Sequence, residues 1–166
     1  MMHLPRLAEL VIIYKIKEVL ENLGLSSDDY RVISGFPNKE FLTEENVWPT
    51  ISVEVDSLFG TNVELGSNQW PAVGIVIDIF AKTSGQLDDL SMELWEELNE
   101  NSYTLYNFNS SFPSVVGDYS GIPSLGSFSV NDFTYNNLPP ESFNSIDGMR
   151  YHGLFDGWLQ LPNVSV

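Results

Sequence analysis

No cysteine occurs among the 166 residues. Disulfide frameworks, Cys-ligated zinc, iron–sulfur clusters and thiol nucleophiles are therefore excluded, and the absence fits a reducing compartment. Basic residues are scarce as well: seven Lys and Arg against 23 Asp and Glu leave a formal charge of −16. Tight nucleic-acid binding relies on Lys and Arg that neutralise phosphates and release counterions, so sequence-specific binding is excluded, and an anionic membrane surface is disfavoured. Long apolar runs are missing too. The longest, Leu10–Tyr14, falls far short of the ~20 residues that span a bilayer. Lys15, Lys17 and Glu18 follow it at once, which is not the arrangement of a signal peptide.

Catalytic side chains are few. There is no Walker loop, G-x-G-x-x-G, G-x-S-x-G, H-E-x-x-H or EF-hand pattern, and Gly117-Asp118-Tyr119-Ser120-Gly121 is turn chemistry. Only His3 and His152 could serve as neutral-pH bases. His3 lies near the chain start, and His152 reads as a satisfied structural or interface histidine. Four strand residues span ~13 Å, so His152 and Asp156 cannot pair within one straight strand. No cofactor and no metal are expected. An enzymatic alternative stays open on Glu54, Asp56 and Asp78, which could approach across neighbouring strands and hold a hard cation in a small metal-assisted hydrolase.

What the sequence does contain is order: 43% hydrophobic and 13% aromatic residues mark a globular chain rather than an acidic tail. Pro5 opens a helical pattern through Leu7, Leu10, Val11, Tyr14, Val19, Leu20 and Leu23, closed by Gly24, so a helix is predicted over 5–23. Ile12, Ile13 and Ile16 widen its apolar surface beyond one stripe, which predicts cover on two sides. Ser26–Asp29 reads as a turn and Tyr30–Phe36 as a short strand. Ile51, Val53 and Val55 alternate with polar residues, and Val73–Ala81 is apolar on both faces apart from Asp78, the pattern of a mid-sheet strand. A long loop is read over 57–71. A second helix is predicted from Thr83 to Asn101, with capping-box spacing at Thr83 and Gln86, and Asp88 and Asp89 favouring its N-terminus. Strands are predicted over 127–135 and 149–161. The resulting plan is α+β, a mainly antiparallel sheet with two helices packed on one face, within a single domain spanning 1–166. A long aromatic, Ser- and Asn-rich segment over 101–148 is read as an extended interaction region.

That segment shapes the functional expectation. From Asn101 to Met149 there is no Lys or Arg. Aromatic segments depleted in Lys mark protein–protein contact. Phe108, Phe112, Tyr119 and Phe128 of this segment, together with Trp158 beyond it, are expected at subunit or neck contacts, the alternative being that such aromatics fill the domain's own core.

The middle third resembles a known family. Pro49-Thr50-Ile51-Ser52-Val53, Glu64-Leu65-Gly66-Ser67, Gly74-Ile75-Val76-Ile77-Asp78-Ile79-Phe80-Ala81-Lys82 and Gly85-Gln86-Leu87-Asp88-Asp89-Leu90 resemble the tail terminator and tail-completion (neck) proteins of tailed bacteriophages. The resemblance covers about 49–100, with a compatible helix before it. It implies a structural virion protein without catalytic residues. Such a subunit forms a six-fold ring that caps the tail tube, joins it to the neck or connector, and lets DNA pass an acidic lumen without specific binding. It implies assembly in the host cytoplasm, and places Glu64, Leu65 and Trp70 of the 57–71 loop at the lumen or a stacking surface. Another neck, tube or baseplate role fits the same pattern.

Overall fold

Helix α1 runs from Leu4 to Asn22 with Pro5 in its first turn, where the missing N–H costs nothing. In this computed structural model, which describes residues 2–37, 47–55, 72–138 and 151–162, α1 is followed by β1 (Arg31–Ser34), β2 (Thr50–Val55) and β3 (Ala72–Ala81). Then come α2 (Ser84–Leu98), β4 (Ser102–Tyr106), β5 (Ser124–Leu138) and β6 (Tyr151–Gln160). The six strands form one sheet in the order β1-β2-β3-β6-β5-β4; β1 and β2 are parallel and the other pairs antiparallel. This is the expected α+β plan with one strand more. Residues 102–106 pair with β5 (124–138), so among the described residues of the 101–148 segment the loop is 107–123.

The two-sided cover expected for α1 has a geometric cause. α1 touches β1 and β2 near one edge of the sheet and β4 at the other, as well as α2. Arg6 reaches Ser34 at the end of β1, while Tyr14 meets the ring of Phe108 just past β4. The sheet curls around the helix, burying Leu7, Ile12, Ile16 and Leu20 completely. α2 packs over β3, β5 and β6 through Leu87, Leu90, Leu94 and Leu98. Thr83 caps α2 by accepting from Gln86 N–H at 3.1 Å, and Gln86 Oε1 accepts from Lys82 N–H. Because the helix opens at Ser84, Asp88 and Asp89 lie in its second turn, past the first-turn positions where the dipole rewards an acid.

Alternation along β3 sends Val73, Ile75, Ile77 and Ile79 to the helices and Val76, Asp78 and Phe80 to the outer face. β5 needs a correction to do the same. Between Asn131 and Thr134 it carries one residue more than β6, with Asp132 at φ 50°. This bulge swaps the inward parity, so Phe128 and Val130 before it, and Phe133 and Tyr135 after it, all reach the core. Opposite this region Gly153 leaves no room for a side chain. A Cβ there would stand 2.7 Å from the Tyr135 hydroxyl and 3.0 Å from Leu87 Cδ1. Gly153→Ala is expected to lose about 1–3 kcal/mol by overpacking. Tyr135→Phe should recover part of it, since that buried hydroxyl has no hydrogen-bond partner among the described residues. Thermal melts of the two variants and their combination check this.

Candidate interaction surface

The outer face of the sheet divides into a buried end and an open end. At the buried end, β3 contributes Asp78 and Phe80, β2 contributes Ser52 and β6 contributes His152. Asp78 (6% exposed) accepts from His152 Nε2–H (4% exposed) at 2.7 Å, and Ser52 Oγ lies 3.5 Å from its other oxygen. The imidazole stacks on Phe80 at 4.4 Å, and Phe36 meets Phe80 edge-on. A buried carboxylate requires such partners, because an unpaired charge in the interior is far costlier than a paired one. Asp78 stood out in the sequence as the one polar residue of its strand and His152 as a satisfied structural or interface histidine; their pairing, across 74 positions, was not read from it.

This arrangement bears on the hydrolase alternative. Glu54 is exposed and lies opposite Val76, whereas Asp78 lies opposite Ser52 and turns to His152. Asp56 lies outside the described residues. Among the described residues no group of three or more His, Asp or Glu is placed to hold a metal. Ser52 contacts the carboxylate rather than the imidazole, so the three do not form a nucleophile–base pair.

At the open end the face is polar, uncharged in its first two rows and acidic in the third. Ser102, Ser129 and Gln160 form one row across β4, β5 and β6, Asn131 and Trp158 the next, and Thr134 and Asp156 the third. Asp156 accepts from Thr134 Oγ1, and the bulge residue Asp132 stands exposed beside it. Ser102, Ser127, Phe128, Ser129 and Gln160 line a groove of about 320 Å³. Trp158, 38% exposed, follows two residues before Gln160 on the same face.

Loop 107–123 lies at the β4 edge on the helix side. Phe108 is buried there, and the ring of Phe112 lies parallel to it at 5.7 Å while remaining 55% exposed. Val115, which the sequence did not single out, is 63% exposed. The loop is pinned to α1. Tyr119 stacks on Tyr106 at 4.5 Å and donates its hydroxyl to Glu18, which also pairs with Lys15 at 2.7 Å. Burial, and then the Glu18 carboxylate, hold the Tyr119 hydroxyl well above the usual tyrosine range. Asn109 grips the Met2 backbone from both sides, donating to its carbonyl and accepting from its N–H.

Of the five aromatics expected at contacts, the structure corrects two. Phe108 and Phe128 are each 1% exposed; they belong to the chain's own core and offer almost no side-chain area to a partner. Their strand and loop positions explain this, since Phe128 shares its inward face with Val130 and pairs with Tyr103. Tyr119 is half-buried as the loop's anchor, whereas Phe112 and Trp158 remain exposed. Glu64, Leu65 and Trp70 lie outside the described residues.

Charge lies elsewhere. α2 has no Lys or Arg, and its solvent side presents Asp88, Asp89, Glu93 and Glu96 around the exposed Met92. Its last turn has no base to oppose the negative end of the dipole. Between Asn101 and Asn131, in contrast, Asp118 is the one charged residue.

The fold and these surfaces define an α+β protein with a curled sheet, one acidic helical side and an uncharged groove at one end of the outer sheet face. The sequence matches no protein-family model and no curated protein. Among the described residues no helix is long and apolar enough to cross a membrane.

Proposed function

We propose that the chain is a ring-forming structural subunit of a tailed-phage particle, of the tail-terminator kind. In this reading six copies cap the tail tube and join it to the neck or connector, and the chain performs no catalysis. It is assembled in the host cytoplasm and remains in the virion. The observation that carries the reading is an uneven distribution of charge: the outer side of α2 presents Asp88, Asp89, Glu93 and Glu96 with no base beside them, whereas loop 107–117 and the Ser102, Ser127, Ser129 and Gln160 end of the sheet carry no charge.

That unevenness matters for self-association. Two unit charges 4 Å apart at a protein surface interact by ~4 kcal/mol, so facing carboxylates would cancel much of what an interface gains. Identical acidic copies meet with least repulsion over surfaces that lack charge. Carboxylates turned toward passing DNA repel phosphate and form no counterion-releasing contacts, which suits passage without binding.

Light scattering and negative-stain imaging of the purified protein test the reading. A ring with a central hole, and a mass near six times 18.7 kDa, is the expected result. A monomer at the highest attainable concentration, together with no place in an intact particle, would overturn it.

A further inference from the structure

We infer that the loop carrying Phe112 on one copy docks into the groove beside Trp158 on the next, an inference that rests on the ring reading above. The two patches lie on opposite sides of one subunit. Loop 107–123 packs on α1, on the helix side of the sheet, while the groove opens on the face turned away from the helices. Neither patch can therefore satisfy the other within a copy. Two unlike patches joined head to tail form a heterologous contact, the kind that closes rings, whereas a single patch meeting itself stops at a two-fold dimer.

The occupant is argued from charge and from shape. Loop residues 107–117 carry no charge, and the groove is bounded by three serines and Gln160, none of them charged. A partner carrying −16 meets least repulsion at this face through a neutral segment, and this loop is such a segment. A groove of about 320 Å³ has room for a single aromatic ring with its neighbouring atoms. Phe112 is held ready for that role: its ring stacks on the buried Phe108, and Tyr119 and Asn109 fasten the loop on either side. An aromatic anchor fixed before binding loses little freedom when it docks.

Three variants test the pairing, each checked for an unchanged fold by circular dichroism and melting. Phe112→Asp removes the anchor, Ser127→Glu fills the groove with charge, and Trp158→Asp alters its rim. Each should weaken self-association by at least ~30-fold, the loss typical of a hot-spot residue, and appear as a monomer in light scattering. Phe112→Asp retains a sound groove and Ser127→Glu a sound loop, so an equimolar mixture should form one junction and stop at a heterodimer. Rings formed by Phe112→Asp or Ser127→Glu alone would overturn the inference and leave the ring reading standing. Monomers that stay monomeric on mixing would overturn the pairing of these two patches. A wild-type protein that never assembles would overturn both.

Discussion

Replacing Asp78 with alanine is expected to cost the fold about 1–3 kcal/mol, the loss seen when one member of a buried hydrogen-bonded pair is removed and the other is left unsatisfied. His152 would remain sealed beneath Phe80 with its Nε2–H facing the space left by the carboxylate. Asp78→Asn should fall in between, because its amide oxygen can still accept. Replacing both groups at once, as in Asp78→Leu with His152→Phe, should return most of the loss, since apolar side chains of similar volume often substitute for a buried polar pair without penalty. Urea unfolding reads this directly as a shift of midpoint at unchanged slope. An alanine variant within 1 kcal/mol of wild type would show that the pair is better solvated than its burial indicates. The double variant also separates architecture from chemistry, because a purely structural pair can be replaced without loss of assembly.

Phe155→Ala is expected to have a larger effect at the centre of the sheet. Phe155 is fully buried, lies parallel to Phe133 at 4.7 Å and tilted against Tyr135 at 4.7 Å, and meets Trp95 of α2 at 6.4 Å. Truncation removes the contacts that hold β5, β6 and α2 together and leaves a cavity, for a cost of about 3–5 kcal/mol. At ~2–4 °C per kcal/mol for a chain of this size, the melting temperature should fall by roughly 6–20 °C in calorimetry. A fall of less than ~3 °C would mean that the neighbouring rings collapse into the gap.

Much of this architecture was legible in the residues, and the failures have physical reasons. Helix α1, strands β2 and β3 and helix α2 announced themselves through periodicity, and their observed bounds lie within a few residues of the pattern. β4 did not. Its five residues, Ser-Tyr-Thr-Leu-Tyr, alternate correctly, but they sit in a Ser- and Asn-rich stretch whose composition speaks for a loop. β5 was recognised only in part, because its bulge changes the parity of Phe128-Ser-Val-Asn-Asp-Phe-Thr-Tyr halfway along. Sheet order and the pairing of Asp78 with His152 depend on strands far apart in sequence, which local patterns do not encode. The aromatics divided for a similar reason. Composition indicated that so many rings needed cover, but only the fold distinguishes Phe108 and Phe128, which the domain covers itself, from Phe112 and Trp158, which it leaves exposed.

The acidic side of α2 has a consequence beyond the single subunit. Carboxylates with no cation along the same helix project their repulsion outward for about one screening length, ~30 Å in 10 mM salt but only ~10 Å at 0.1 M. In dilute buffer approaching copies would feel one another before any neutral surface could touch. For the proposed assembly, ionic strength is therefore expected to act as an external control, with association stronger at host-like salt than in dilute buffer.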